Sequence, residues 1–344
     1  MMELARPIIA IVGPTGVGKS TIAQSLAQQQ GTSVLSADSM QVYKGMDIGT
    51  AKVMSCEQVV PHFGIDLVEP SHSYSAAEYQ KYARMIIERE AADSGGVTPI
   101  VCGGTGLYLR AALDDFVFPE QAENADHDGS QFTETRQRYE DQYAQMIKDC
   151  GGAENPDSKI QAAMKMHDLL AQCDKEAADH IHPNNVRRVI RALELHGSGQ
   201  SYADIKQAFK ERRSYYPAVW IGIDCERDLL YQRIEHRVDD MMQHGLLQEV
   251  DTLLQAGYRD ALTAHQAIGY KELVPVLEGS ADMADAVAAI KQATRRYAKR
   301  QLSWFRGDPR VQWIRNDDVF TAEVVEHALK IAADYNCANR KEGE

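Results

Sequence analysis

The sequence predicts an α/β protein: a P-loop NTPase-like parallel sheet core with an inserted helical domain and a helical C-terminal region. Three observations predict it. An apolar run, Ile8-Ile9-Ala10-Ile11-Val12, leads into the octapeptide Gly13-Pro14-Thr15-Gly16-Val17-Gly18-Lys19-Ser20 and then into a helical stretch, Thr21-Ile22-Ala23-Gln24-Ser25-Leu26. That is the strand, glycine-rich loop and helix order of a phosphate-binding loop, matched at every fixed position. Further short apolar runs recur with helical patterns between them, as a doubly wound parallel sheet requires. A polar, acidic stretch at 119–131 then separates this alternation from a wholly helical pattern.

The elements follow in order. Runs at 8–12, 33–37 and 98–102 are short and apolar, as strands buried on both faces are. Between the last two, Ser75-Ala76-Ala77-Glu78 forms a capping box that opens a helix to about Ser94, ended by Gly95-Gly96. Residues 119–131 lack periodicity and read as a mobile linker. Helices are expected at 132–150 and 158–179, on either side of a break at 151–156, and from Asn185 to His196, closed by Gly197. The run 218–223 rejoins the sheet as a strand, followed by helices at 226–244, 246–256 and 280–306 and a short strand at 310–314. The division is therefore a catalytic core, 1–118 with 214–344, and a helical insertion, 119–213. Ligands of such a sheet bind beyond the carboxyl ends of its strands.

Composition narrows the class. Of 344 residues, 44% are hydrophobic and 25% charged, ordinary values for a water-soluble chain, and no apolar run reaches the length of a membrane span. The N-terminus has no signal-peptide pattern. The six cysteines form no C-x-x-C pair, which disfavours structural zinc and disulfides and suits a cytoplasmic setting. The net charge is −13, and residues 114–180 hold 16 acidic against 6 basic side chains, so this segment carries −10 of it. Basic residues gather elsewhere, at 187–213 and at 295–310. Such faces bind phosphate backbones even on an acidic protein, or serve as solvated helix surface. Nothing in the sequence calls for a membrane or an obligate protein partner.

The octapeptide supplies the first chemistry. Its glycines let successive backbone N–H groups converge on one anion at the start of a helix, Lys19 adds a point charge, and the Ser20 hydroxyl suits a Mg²⁺. Asp38 follows the second strand in Asp38-Ser39-Met40-Gln41-Val42-Tyr43 and faces the same crevice. It could take a proton from a nucleophile, hold Mg²⁺ through water, or cap the next turn. The third strand ends in Gly103-Gly104-Thr105-Gly106-Leu107-Tyr108, where a Mg²⁺-holding ATPase usually has an aspartate. Glycines and a hydroxyl in that place suit orienting a leaving group better than activating water.

Together these blocks resemble the bacterial tRNA dimethylallyltransferases. The resemblance rests on the phosphate loop, Asp38-Ser39-x-Gln41-Val42-Tyr43, Met46-Asp47-Ile48-Gly49-Thr50-Ala51-Lys52, Pro61-His62-x-x-Ile65-Asp66 and Gly103 to Tyr108. It continues through Pro183-Asn184-Asn185-x-Arg187-Arg188-x-Ile190-Arg191-Ala192-Leu193-Glu194, Ala267-Ile268-Gly269-Tyr270-Lys271-Glu272, and Thr294-Arg295-Arg296-Tyr297-Ala298-Lys299-Arg300-Gln301-x-x-Trp304-Phe305-Arg306. The blocks run in family order from residue 8 to about 314, and the segment between Phe118 and His180 is longer and more acidic than the family usually shows.

The resemblance implies transfer of a dimethylallyl group from dimethylallyl diphosphate to N6 of adenine 37 of tRNA, the base beside the anticodon, flipped into a channel through the protein. It implies Asp38 as the proton acceptor and Thr105 near the bridging oxygen. Gly13, Pro14, Thr15, Gly16, Val17, Gly18, Lys19 and Ser20 would hold the diphosphate, with Mg²⁺ near Ser20 and Thr105. Arg233 and Arg237, one helical turn apart, would close over the diphosphate or over the tRNA backbone. Ser39, Met40, Gln41, Val42 and Tyr43 would face the tRNA, with Ser39, Gln41 and Tyr43 holding the flipped adenine. Arg187, Arg188, Arg295 and Lys299 would contact the anticodon stem-loop through its backbone. Three other readings compete: an adenylate isopentenyltransferase, which uses the same donor but lacks a helical insertion; a small-molecule kinase, which gives the Gly103–Tyr108 block no role; and a non-catalytic nucleotide-sensing or RNA-binding module, which leaves Asp38 and Thr105 unexplained.

Overall fold

The computed structural model describes residue 4 and residues 6–118, 130–152, 154–258, 267–317 and 322–341. Of the expected linker at 119–131, all but the last two residues lie outside these. The sheet is built from β1 (Ile8–Val12), β2 (Val34–Ser36), β3 (His62–Phe63), β4 (Ile100–Gly103), β5 (Ala218–Asp224) and β6 (Val311–Arg315). Its order is β3-β2-β4-β1-β5-β6, and every pairing is parallel. The central β1 aligns Ala10 with Val101 on one side and with Trp220 on the other.

Every residue of β1 is buried because helices cover both faces of the sheet, which is why its sequence runs apolar without alternation. On one face Ile9 and Ile11 join a cluster with Ile22 and Leu26 of α1 (Lys19–Gln30), Leu230 and Ile234 of α9 (Arg227–Gln243), Ala298 of α12 (Met283–Arg306), and Val325 and Ala328 of α13 (Ala322–Lys341). On the other side α2 (Ala76–Asp93) packs with α3 (Gly106–Leu113), where Tyr79 and Tyr108 stack with ring centroids 4.1 Å apart. Ser75 caps α2 with the expected capping box. Its hydroxyl accepts from Glu78 N and the Glu78 carboxylate accepts from Ser75 N, satisfying two otherwise orphaned donors.

The described residues divide into two compact units, Met1–Asp114 with Ser214–Glu344, and Asp115–Arg213. In the first, the chain leaves and returns side by side, with Asp114 bridged to Ser214. A buried ionic network fixes that point: Asp114 receives Arg110 Nε at 2.6 Å and Arg310 Nη1 at 2.6 Å, and Asp308 also binds Arg310. The second unit is helical: α4 (Ser130–Asp149), α5 (Pro156–Cys173), α6 (Lys175–His180), α7 (Val186–Gly197) and α8 (Tyr202–Lys210). Met166, Leu170, Ile181, Val189, Ile190 and Leu193 form its own core.

The single helix expected at 158–179 is two, because Asp174 ends α5 and its side chain accepts from Ala177 N to start α6. The elements the sequence did not disclose are the two-residue β3, α3 emerging directly from the glycine turn, α8, the single-turn α11 (Val274–Leu277), and α13. The remaining helix of the core, α10 (Leu246–Gln255), follows Gly245 and matches the helix expected at 246–256.

Candidate active site

A cavity of about 570 Å³ opens at the carboxyl ends of β1, β2 and β4. Thr15, Gly16, Gly18, Lys19 and Ser20 form one wall, Asp38, Ser39, Met40 and Gln41 another, and Gly103 and Gly104 the back. Arg237 of α9 and Thr294, Tyr297, Arg300 and Gln301 of α12 complete it, with Gly49–Ala51 and 267–269 at the sides. Among the described residues Asp38 is the one acidic lining group, against the cations Lys19, Arg237, Lys271 and Arg300. The protein is acidic as a whole, but this cavity attracts anions.

The phosphate loop is held in place from outside. Gly18 caps α1 with φ of 85°, a left-handed value that a side chain would strain, so the first N–H groups of the helix point into the cavity. Asn316, beyond β6, donates from Nδ2 to Val17 O at 2.9 Å. Lys19 curls back so that Nζ donates to Pro14 O at 2.6 Å. Burial lowers the Lys19 ammonium to about 8; neighbouring Arg237 pushes in the same direction, while Asp38 opposes it. Burial also lowers the Arg237 guanidinium, and Asp38 opposes this too. Two cations held close together and short of counter-charge make a site that gains by receiving a multiply charged anion.

Across the cavity, Asp38 Oδ1 accepts from Met40 N at 2.9 Å, which orients the carboxylate. The Thr105 hydroxyl accepts from Ser39 N at 3.1 Å and donates to Ser39 Oγ at 3.3 Å, tying the Asp38–Ser39 turn to the exit of β4. Tyr297 lies beside Asp38, Thr105 and Gln301, and burial holds its phenol well above the usual value. The Gln301 amide accepts from Thr15 N at 2.9 Å and donates to Gly104 O at 3.0 Å. A Cβ on Gly104 would stand 2.0 Å from Gln301 Nε2, so only glycine admits that side chain.

The expected site residues separate into those at the cavity and those elsewhere. Asp38, Ser39, Met40, Gln41, Lys19, Ser20 and Arg237 line it. Gln41 does so with its amide committed internally: Oε1 accepts from Ser36 Oγ at 2.8 Å and Nε2 donates to Thr50 O at 3.2 Å. Val42 and Tyr43 are fully buried in the core, where neither can meet an adenine. Arg233 points away, donating to Asn316 O at 2.9 Å and Asp317 O at 2.7 Å. Arg295 is turned onto α9, where it pairs with Glu235 and lies by the Tyr231 ring. Lys299 is exposed, as are Arg187 and Arg188 in the first turn of α7.

The residues that sequence reasoning missed are Tyr297, Arg300 and Gln301 on α12, and Glu249. Glu249 accepts from the amides of Asp47, Ile48 and Gly49 at 3.0, 2.8 and 3.1 Å and from the Tyr270 hydroxyl at 2.6 Å. Lys52, 6% exposed, closes the same loop by donating to Asp47, Asp66 and Tyr43 O. The wall at 47–52 is thus preassembled, held by Lys52 from within and by Glu249, which Tyr270 of the Ala267–Glu272 motif supports.

As a metal site the cavity offers little of its own. Among the described residues no three His, Cys, Asp or Glu converge. Ser20 presents one hydroxyl at the loop, while Thr105 already spends its hydroxyl on Ser39. That donor set fits a hard cation that takes most of its oxygens from a bound diphosphate, the usual manner of Mg²⁺.

Comparison with known proteins gives the same direction. The family model "IPP transferase" matches residues 41–308, and "Isopentenyl transferase" matches residues 6–59. The tRNA dimethylallyltransferase of Bacillus subtilis is 44% identical over 317 residues, covering 91% of this chain and 92% of that protein. That of Exiguobacterium sibiricum is 45% identical over 316 residues, 91% of each. Among solved structures, the tRNA isopentenylpyrophosphate transferase of Bacillus halodurans is similar with a TM-score of 0.66 and 36% identity, covering 98% of this chain and 100% of that one. A eukaryotic dimethylallyltransferase acting on tRNA is similar with a TM-score of 0.75 and 28% identity, covering 97% of this chain and 80% of that one.

Proposed function

Since the chain belongs to the IPP transferase family, we propose a reading of its cavity as the place where a prenyl group changes carrier. The protein is an enzyme that transfers a dimethylallyl group from dimethylallyl diphosphate to N6 of the adenine beside the anticodon of tRNA, forming N6-dimethylallyladenosine and releasing diphosphate. The observation that carries the reading is the placing of one carboxylate, Asp38, across a cavity from a phosphate loop reinforced by Lys19 and Arg237.

In this reading the loop amides, Lys19 and Arg237 grip the diphosphate. As the allylic carbon–oxygen bond breaks, its electron pair leaves with the diphosphate, and these fixed positive groups stabilise the growing charge. The adenine amine is a weak nucleophile because its lone pair is delocalised into the ring. Asp38 removes the N6 proton as the carbon–nitrogen bond forms, so the product is neutral at nitrogen. Thr105 keeps Asp38 in range by pinning Ser39. Ser39 and Met40 are the groups that meet the flipped base, and Gln41 shapes that wall rather than reading it. Ser20 would hold Mg²⁺, which supplies charge neutralisation to the diphosphate when bound.

The tRNA itself is gripped by its backbone. The exposed Arg296, Lys299 and Arg300 on α12 and the exposed Arg187 and Arg188 on the insertion are the groups offered to phosphates. The cytoplasm is the compartment that suits both a tRNA substrate and free cysteines such as the exposed Cys56 and Cys173.

The test is to supply labelled dimethylallyl diphosphate with Mg²⁺ and offer unmodified tRNA or AMP in separate reactions. Label in tRNA alone is the expected result. Label in AMP but not tRNA would replace this reading with an adenylate isopentenyltransferase, and label in neither would end it.

A further inference from the structure

We propose that Gln301 is a positioning residue for the transfer, the spacer that sets the distance between the leaving-group cradle and the loop carrying the proton acceptor. The inference rests on the transferase reading above. Gln301 is 4% exposed, and its two ends engage different loops: Oε1 takes the Thr15 N–H of the phosphate loop, and Nε2 gives to Gly104 O. Gly104 adjoins Thr105, which holds Ser39, which adjoins Asp38. One side chain therefore joins the diphosphate-holding loop to the Asp38 turn through an unbroken series of bonds. Tyr297 stands beside Thr105 and Gln301, at the middle of this series.

The chemistry of the position admits few substitutes. One atom must accept from an N–H while the atom beside it donates to a C=O, which a primary carboxamide does and a carboxylate cannot. The Thr15 N–H is also withdrawn from the anion, so the diphosphate is left to the amides nearer α1. With both ends of its amide engaged, Gln301 acts through the loops it joins. In-line displacement is sensitive to such spacing, since a misplacement of about 1 Å costs on the order of 10²-fold in rate.

Glu in this place distinguishes positioning from mere packing. Ionised, it sets an oxygen against Gly104 O and breaks the bridge; protonated, it restores both bonds in the same shape. Burial raises the carboxyl's affinity for its proton. Tyr297, with Asp38 and Arg300 beside it, and Lys19 and Arg237 in the same cavity are present alike in the unaltered protein, so the ratio of variant to unaltered rate isolates the introduced carboxyl.

The experiment compares the full chain with Gln301→Glu and Gln301→Met in single-turnover dimethylallyl transfer to tRNA. Rates are taken from about pH 8.5 to about pH 6, with thermal melting and tRNA affinity measured alongside. Gln301→Met should lose ~10- to 100-fold in rate at every pH while binding tRNA normally. Gln301→Glu should match that loss at high pH and recover towards the unaltered rate as pH falls. A Gln301→Met rate equal to the unaltered one, or a Gln301→Glu ratio that stays flat with pH in a folded protein, overturns the proposal. If Gln301→Glu does not fold, Gln301→Met decides. If the unaltered protein transfers nothing, the transferase reading fails instead. The spacer is then judged by calorimetric binding of inorganic diphosphate, which Gln301→Met must weaken several-fold.

Discussion

Two side chains dominate at the scale of the single residue. Among the described residues Asp38 is the only acidic group lining the cavity, and none of them can cover its loss. Asp38→Ala should lower the transfer rate ~10²- to 10⁴-fold, the range for a lost general base, with tRNA affinity unchanged. Should affinity in a filter-binding assay fall as far as the rate, Asp38 is holding RNA and not a proton. Lys19 carries the pH dependence of donor binding. Its ammonium, lowered to about 8 by burial, gains a partner when the diphosphate arrives, so the bound form holds its proton more tightly than the free form. Affinity for dimethylallyl diphosphate should therefore be level below about pH 8 and fall above it, by up to about tenfold per pH unit. Calorimetry on the tRNA-free protein measures this, and an affinity that climbs above that pH contradicts it. Asp38 was legible in the sequence because it directly follows a strand. Gln301 was not: it meets Thr15 across 286 positions, and no local pattern records a contact so distant.

At the scale of the element, α12 shows how one helix serves three surfaces. Ala286, Ile290, Ala298, Gln301 and Phe305 recur at helical spacing and form its buried side. Thr294 and Tyr297 turn towards the cavity, and Arg296 and Lys299 face solvent. The glycine turn after β4 must admit this helix closely. Gly104→Ala drives a methyl group into Gln301 and should cost about 1–3 kcal/mol by the usual penalty for overpacking, read as a lower melting temperature, and slow transfer as well. Helix α10 contributes Glu249. Glu249→Leu removes the acceptor of three loop amides and the Tyr270 hydroxyl; these bonds are part-buried, so water can take over some of them, and the loss should be about 1–3 kcal/mol. A melting temperature unchanged in that variant would show the loop at 47–52 to be held by Lys52 instead. Helix α2 was readable from its capping box, whereas the split between α5 and α6 was not, since an aspartate inside a helical pattern looks like any other polar surface residue.

At the scale of the whole molecule, charge distribution decides how an acidic protein can bind RNA. The −13 total would repel a phosphate backbone, but the cavity and the outer side of α12 are locally cationic. Binding of tRNA should weaken steeply with salt, and the double change Arg187→Ala with Arg188→Ala should flatten that slope by about 0.7–0.9 for each phosphate no longer neutralised. The transfer rate at saturating tRNA should stay the same; a slope that does not change removes these arginines from the interface. The sequence by itself disclosed five of the sheet's six strands, the glycine-rich loop between β1 and α1, the place of Asp38 after β2 and the helical character of the stretch from 132 to 196, because each is written in consecutive residues through periodicity, capping or a fixed motif. The tertiary structure alone decided which of the candidate side chains face the ligand. Val42 and Tyr43 turned into the core, Arg233 and Arg295 were spent on neighbouring elements, and Gln301, Tyr297 and Glu249 entered from helices far along the chain. The physical reason is that a strand or helix exposes only one side to any site. Which side that is depends on what the other side buries, and that is settled by packing between segments hundreds of residues apart.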